Sequence, residues 1–240
     1  MRAIGLIGGM SWESTAVYYR LMNQEVARRL GGLHSAHLLL HSVDFGPVAQ
    51  AQHDGDWDKA AAMLRDSARR LAAGGAEALV LCTNTMHKLA DAIEGSCPLP
   101  FLHIADSTGR AAQALGCRKV GLLATGFTMR EPFLKDRLAA RHGLEVMVPP
   151  PETQAEVHRV IYEELCKGII RDSARNFYRM AIEALRGAGA EAVVLGCTEI
   201  TLLIQPEHSV LPLLDSTELH ALAAVDFALA DASTPREARI

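Results

Sequence analysis

Short apolar runs bounded by glycine alternate along this chain with longer stretches whose apolar positions recur at helical spacing. The runs at 3–7, 37–43, 79–82 and 101–104 read as buried strands. The stretches at 14–30, 58–73 and 84–94 read as helices between and after them. The alternation then starts again. Strands are predicted at 120–124, 144–148, 192–195 and 211–214, and helices over 129–142, 154–167, 173–187 and 199–204. Strand and helix in turn are the pattern of parallel sheets covered by crossover helices, which places the chain in the α/β class.

The second pass copies the first. Residues 75–85, Gly-Ala-Glu-Ala-Leu-Val-Leu-Cys-Thr-Asn-Thr, return without a gap at 189–199 as Gly-Ala-Glu-Ala-Val-Val-Leu-Gly-Cys-Thr-Glu. Ile4-Gly5-Leu6-Ile7-Gly8-Gly9 is echoed by Val120-Gly121-Leu122-Leu123-Ala124-Thr125-Gly126. Asp106-Ser107-Thr108 is echoed by Asp215-Ser216-Thr217, and both triplets read as helix N-caps. A duplication of this kind predicts two similar Rossmann-like lobes with parallel sheets, related by a pseudo-twofold axis, with one active site between them. Residues 1–105 plus 216–232 would form lobe one and 106–215 lobe two, with 233–240 a flexible tail.

Composition narrows the partners. With 240 residues, 49% of them apolar and 22% charged, the chain has enough apolar material for a real core in each lobe. A net charge of −4 leaves no electrostatic footprint for nucleic acid or for a membrane surface. No apolar stretch is long enough to span a bilayer, and the short N-terminal run lacks the long apolar core of a signal peptide. The five cysteines are odd in number and lack CxxC spacing, so they read as reduced thiols of a cytoplasmic protein.

The chemistry should lie where the two copies disagree. In open parallel sheets, ligands bind beyond the carboxyl ends of the strands. The ungapped repeat sets Thr83 opposite Cys197 at the two equivalent strand ends. A thiol there, close to a helix N-terminus, is expected to be drawn toward thiolate by the dipole and free amides. Asn84, Thr85 and Thr198 follow the two positions and suit a carboxylate ligand. Cys82 ends its apolar run, and neighbouring strand residues point to opposite faces, so Cys82 reads as packing and Thr83 as the cleft residue.

Other residues weigh less. His34, His37 and His41 are closely spaced but lack the cysteine or carboxylate that would complete a metal site, and no metal is expected. Gly5, Gly8 and Gly9 do not make the GxGxxG dinucleotide fingerprint. His87 and Lys88 are expected on a helix surface, with His87 a minor candidate for supporting the site. Trp12 and Trp57 are expected to pack at helix starts or to line the cleft mouth.

These motifs resemble the aspartate/glutamate racemase family over the chain to about residue 230. Gly8-Gly9-Met10 follows the first strand, and Gly196-Cys197-Thr198-Glu199 opens the second junction. Cys82-Thr83-Asn84-Thr85-Met86-His87-Lys88, Ser11-Trp12-Glu13-Ser14-Thr15 and His41-Ser42-Val43-Asp44-Phe45 look most like the bacterial L-aspartate/glutamate-specific branch with a Thr/Cys pair. The resemblance implies racemisation without pyridoxal phosphate, metal or other cofactor. One group removes the α-proton of a small amino acid, aspartate or glutamate first and homoserine as a broader option, and the other returns a proton on the opposite face. Cys197 and Thr83 would be the catalytic pair, with Cys197 facing the L-isomer's α-proton. Met10, Gln52, Asn84, Thr85, Thr125, Lys167 and Thr198 would bind substrate. Glu199 would orient Cys197 or cap its helix, and the family is commonly dimeric. Two rivals stay open on the same fold: a decarboxylase of arylmalonates that uses a single cysteine, and a non-catalytic amino-acid-binding protein.

Overall fold

The computed structural model describes residues 1–230; the stretch 231–240, where the flexible tail was expected, lies outside them. The chain divides into two compact units. Unit 1 holds Met1–Cys82, Leu89–Leu102 and the described residues from Ala221 onward. Unit 2 holds Thr83–Lys88 and His103–His220. The segment 83–88, which the repeat assigns to lobe one, is grouped here with the second unit.

In unit 1, β1 (Ile4–Gly8) is followed by α1 (Trp12–Leu30), β2 (Leu38–Ser42), α2 (Phe45–Asp54), α3 (Trp57–Ala73), β3 (Ala78–Leu81), α4 (Ala90–Glu94) and β4 (Phe101–Leu102). The strands form a parallel sheet in the order β2-β1-β3-β4. The helix α1 shows why such segments fold. Ser11 accepts from the Ser14 amide to start it, and Tyr18, Met22 and Val26 bury one stripe at i, i+4 and i+8. Burying Met22 alone contributes on the order of 2 kcal/mol. That stripe joins Ile4, Leu6 and Val80 in one apolar core with Ala221, Ala224 and Val225.

Unit 2 contains α5 (Ile104–Ala114), β5 (Lys119–Ala124), α6 (Gly126–Arg130), α7 (Phe133–His142), β6 (Glu145–Met147), α8 (Pro151–Glu163), α9 (Asp172–Gly187), β7 (Ala192–Gly196), α10 (Ile200–Leu203) and β8 (Leu213–Asp215). The last helix, α11 (Ser216–Leu229), starts here and continues in unit 1. The sheet order is β6-β5-β7-β8, again parallel and the same topology as in unit 1. β5 and β7 are almost wholly buried, which explains their continuous apolar runs.

Several boundaries differ from the periodicity, each for a local reason. The helix predicted over 129–142 is broken into α6 and α7, because Pro132 lacks an amide proton and drives Glu131 to an extended ψ of 148°. The stretch 84–94 is a 3-10 segment, Thr85–Leu89, before α4. The stretch 154–167 ends in a separate 3-10 turn, Leu165–Lys167. α2 was not anticipated, although Asp44 caps it through the Gly46 amide. β8 starts at Leu213, since Pro212 cannot donate to a ladder.

The two Asp-Ser-Thr triplets part company. Asp215 does cap α11, accepting from the Thr217 and Glu218 amides at 2.9 and 3.3 Å. Asp106 does not cap α5. His103 takes that place, its Nδ1 accepting from the Ala105 amide at 3.1 Å, so the helix begins before the triplet. Asp106, inside the first turn, instead holds Arg137 through two bonds of 2.8 and 2.7 Å.

Candidate active site

The register of unit 2 brings the site residues to one edge. Ala124 pairs with Gly196, and Leu195 with Asp215. Thr125, Cys197 and Ser216 therefore leave the carboxyl ends of β5, β7 and β8 within a residue of one another. Gly196 is required here, because a Cβ on it would sit 2.9 Å from Ala124 Cβ.

The segment after β3 is tied to both neighbours of Cys197. On the β5 side, Thr85 Oγ1 lies 3.3 Å from Thr125 Oγ1 and 3.2 Å from Thr128 Oγ1, and the latter two are 3.2 Å apart. Three hydroxyls in a closed triangle satisfy one another. Each can also rotate its O–H toward an anion. On the β8 side, the buried Asn84 donates from Nδ2 to Ser216 Oγ at 3.1 Å. Ser216 in turn donates to the Leu195 carbonyl of β7 at 2.9 Å. Lys88 closes the segment with a 3.0 Å ion pair to Glu131.

Thr83 itself is partly exposed, and its hydroxyl has no hydrogen-bond partner among the described residues. Its carbonyl is held by His87. That histidine, expected on a helix surface, is only 1% exposed and corrects the reading. Its Nε2 accepts from the Ile104 amide at 3.2 Å, which makes Nδ1 the protonated nitrogen, donating to the Thr83 carbonyl at 2.7 Å. Burial and the neighbouring His103 and His220 keep His87 neutral, far below the usual imidazole range. The chain folds this way because the 3-10 segment turns His87 inward against the start of α5.

Cys197 is where the electrostatic expectation fails. Its thiol stands well above the ordinary value, first because burial disfavours the anion and then because the Glu199 carboxylate lies beside it. Cys197 Sγ donates to Glu199 Oε2 at 2.8 Å, and Thr198 Oγ1 donates to the same oxygen at 3.1 Å. The following helix, α10, has four residues, too few for its dipole to offset either effect. Glu199 accordingly does more than sit at the helix start: its side chain makes no capping bond and turns back to the thiol.

The other predicted residues scatter. Met10 is buried and Gln52 half-buried on α2, both in unit 1. Lys167 is exposed on the Leu165–Lys167 turn and makes no side-chain hydrogen bond or ion pair among the described residues. Cys82 is fully buried, as packing requires, and burial raises its thiol far above the ordinary range. Trp12, expected to pack or line a cleft mouth, is 68% exposed. Sequence reasoning missed Thr128, Ser216 and His158, whose Nδ1 accepts from the Gly126 amide at 3.1 Å beside Thr125. Thr128 follows Thr125 at helical spacing, and Ser216 lay in a triplet already marked as an N-cap, so a signal existed for both. Among the described residues no group of three or more His, Cys, Asp or Glu side chains is arranged to hold a metal ion. Nor is any described helix long and apolar enough to cross a membrane.

Two parallel four-stranded sheets with flanking helices match the two-lobe fold of the glutamate and aspartate racemases. The chain belongs to the Asp/Glu/Hydantoin racemase family, whose model matches residues 7–224. It is 50% identical to a candidate Asp/Glu racemase from Yersinia pestis, with a TM-score of 0.92 over 95% of this chain and 100% of that one. An aspartate racemase homologue from Pyrococcus horikoshii is 31% identical, with a TM-score of 0.83 over 95% and 99% of the two chains. The Picrophilus torridus aspartate racemase, 18% identical, shares the fold with a TM-score of 0.73 over 95% and 94%.

Proposed function

We propose that this protein interconverts the L- and D-forms of aspartate or glutamate, with room for a related amino acid such as homoserine, using Thr83 and Cys197 and no cofactor. The observation that carries the reading is the tethering of the Thr83 segment to both neighbours of Cys197, through Thr85 to Thr125 and Asn84 to Ser216. Two proton-transfer groups are useful to a racemase only if one substrate carbon can lie between them.

In this reading the Thr85–Thr125–Thr128 hydroxyls turn their protons to a substrate carboxylate. Glu199 takes the thiol proton of Cys197, and the thiolate removes the α-proton of the L-isomer. A thiolate made costly by burial and by Glu199 is scarce, but it is also a stronger base toward a weakly acidic carbon. Thr83 delivers a proton to the carbanion's other face and recovers one from water, the hydroxide being neutralised by the proton that Glu199 took from the thiol. Its hydroxyl is a poor resting base, so removal of the D-isomer's proton is the harder direction for kcat. The two catalytic efficiencies stay tied by an equilibrium constant near unity. Thr198, Lys167, Met10 and Gln52 complete the proposed substrate contacts, and a homodimer is compatible with this chemistry.

The test is 1H NMR in D2O of a panel of L- and D-amino acids, with chiral analysis of the same samples. Loss of the α-proton from aspartate or glutamate together with inversion supports the reading. Release of CO2 from phenylmalonate, or tight binding of aspartate without α-proton exchange, replaces it.

A further inference from the structure

One buried hydroxyl joins the two junctions. Ser216 is 1% exposed, and its Oγ is the meeting point of Asn84 Nδ2 at 3.1 Å and the Leu195 carbonyl at 2.9 Å. Leu195 lies two residues before Cys197 in β7, and Asn84 directly follows Thr83. The hydroxyl donates its single proton to the nearer acceptor, the Leu195 carbonyl, with Asn84 Oδ1 farther off at 3.4 Å, and accepts from Asn84 Nδ2 on a lone pair, so both short bonds coexist. Ser216 is also the first residue of α11, with Asp215 capping the next amides. Its backbone is thus fixed from two sides, by the β8 ladder before it and by the cap behind it. A side chain so held is a rigid strut, and a fixed donor and acceptor set a distance that flexible side chains would not.

We propose that Ser216 is a positioning residue for racemisation, holding the Thr83–Asn84 junction at a set distance from the end of β7 that carries Cys197. The proposal rests on the Thr83/Cys197 reading above. Its chemical consequence is specific. When Cys197 has removed the α-proton of L-aspartate, the carbanion either takes a proton relayed from water through Thr83 and inverts, or takes one back from the thiol on the original face. With Thr83 in place, inversion competes well. When the strut is lost, Thr83 drifts while Cys197 keeps its thiol–Glu199 bond. In D2O the thiol proton exchanges with solvent, so return on the original face writes deuterium into L-aspartate without inverting it.

The experiment compares wild type with Ser216→Ala, starting from L-aspartate in D2O. Two initial rates are read together: deuterium entry into remaining L-aspartate, and appearance of D-aspartate. Both proteins are assayed below their melting transitions. Loss of the strut is expected to lower the inversion rate about tenfold and to raise the exchange-to-inversion ratio at least about threefold, as for a displaced catalytic group. A general loosening would lower both rates in proportion and leave the ratio unchanged. An unchanged ratio in Ser216→Ala, with wild type inverting and Cys197→Ser inactive, overturns the role of Ser216 and leaves the catalytic pair standing. Wild type that inverts equally well as Cys197→Ser overturns the pair, and the strut with it.

Discussion

β3 and β7 hold the same place in two sheets of the same strand order, yet different side chains emerge beyond them. After β3 the chain presents Cys82, then Thr83; β7 ends on Gly196, and Cys197 follows it. Ile7 pairs with Leu81 in one sheet and Leu123 with Leu195 in the other, so the ungapped repeat is also the structural register. Cys82 therefore stands where Gly196 stands, and it is fully buried. Cys197 keeps part of its surface open and bonds a carboxylate, whereas burial alone governs Cys82. The lesson is that a thiol's role follows from its register: one residue along a strand separates a packing group from a reactive one.

The comparison is broken most severely at Cys197. Cys197→Ser should abolish nearly all α-proton exchange from L-aspartate, on the order of a thousandfold, because a hydroxyl beside Glu199 is too weak an acid to supply the base. Exchange near the wild-type rate by NMR would move the base elsewhere. At the opposite junction, Thr83→Cys should raise kcat from D-aspartate relative to L-aspartate by about tenfold, by placing a real base where a hydroxyl stands. The kcat values for both enantiomers in the two proteins decide the point. A mutant that turns over L-aspartate with no relative gain for the D-isomer would show that Thr83 is not the opposing group.

Glu199 sharpens the contrast through pH. Its charge is one of the causes holding the Cys197 thiol high, so Glu199→Gln should move alkylation of Cys197 by iodoacetamide to lower pH. The same change removes the acceptor of the thiol proton, so racemisation near neutral pH should fall, by about tenfold to a hundredfold. Faster alkylation and slower turnover in one protein is the expected signature.

Most of this arrangement was legible along the chain. The strand positions, the duplicated parallel sheets and the Thr83/Cys197 offset follow from apolar runs and an ungapped repeat, because buried parallel strands leave little choice of residue; the order of strands within each sheet came only with the structure. What stayed hidden depends on contacts far apart in sequence. His87 was read as a surface residue, since nothing nearby announces that the Ile104 amide and the Thr83 carbonyl will take both its ring nitrogens. Ser216 was read only as part of a cap, because its link to Asn84 spans 132 positions. The thiol's raised pKa was missed for a related reason: Glu199 is adjacent in sequence, but its direction is set by the fold.

The histidines behind the Thr83 junction add an acid limit that the Cys197 junction lacks. His103, pressed down to about 2 by burial and then by Arg137, His220 and Arg141, cannot take a proton in the folded protein at moderate acidity, and neither can His87. The unfolded chain protonates both as pH falls through the ordinary value of 6.5. Stability is therefore full above that pH and declines below it, by about 1.4 kcal/mol per pH unit for each histidine. His103→Asn keeps a side chain suited to capping α5 and removes one of the two protons. Thermal melting between pH 7 and 5 should then fall less steeply than in wild type. Parallel curves would mean that His103 is not excluded from protonation.

The smallest effect belongs to Cys82, and it tests the register from the other side. Its side chain is packed with Ile4, Leu6, Val80 and Tyr18 in the core of unit 1. Cys82→Ala removes one buried sulfur and should cost about 1 kcal/mol, with turnover kept within severalfold. For a chain of this size that corresponds to a melting shift of roughly 2–4 °C. The thiol is buried among apolar groups, which push its ionisation up and leave it no carboxylate to receive the proton. It therefore has neither the charge state nor the exposure of a base. A loss of exchange as complete as that of Cys197→Ser would mean that β3 delivers the wrong face at its end. The catalytic residue of that junction would then be Cys82 in place of Thr83.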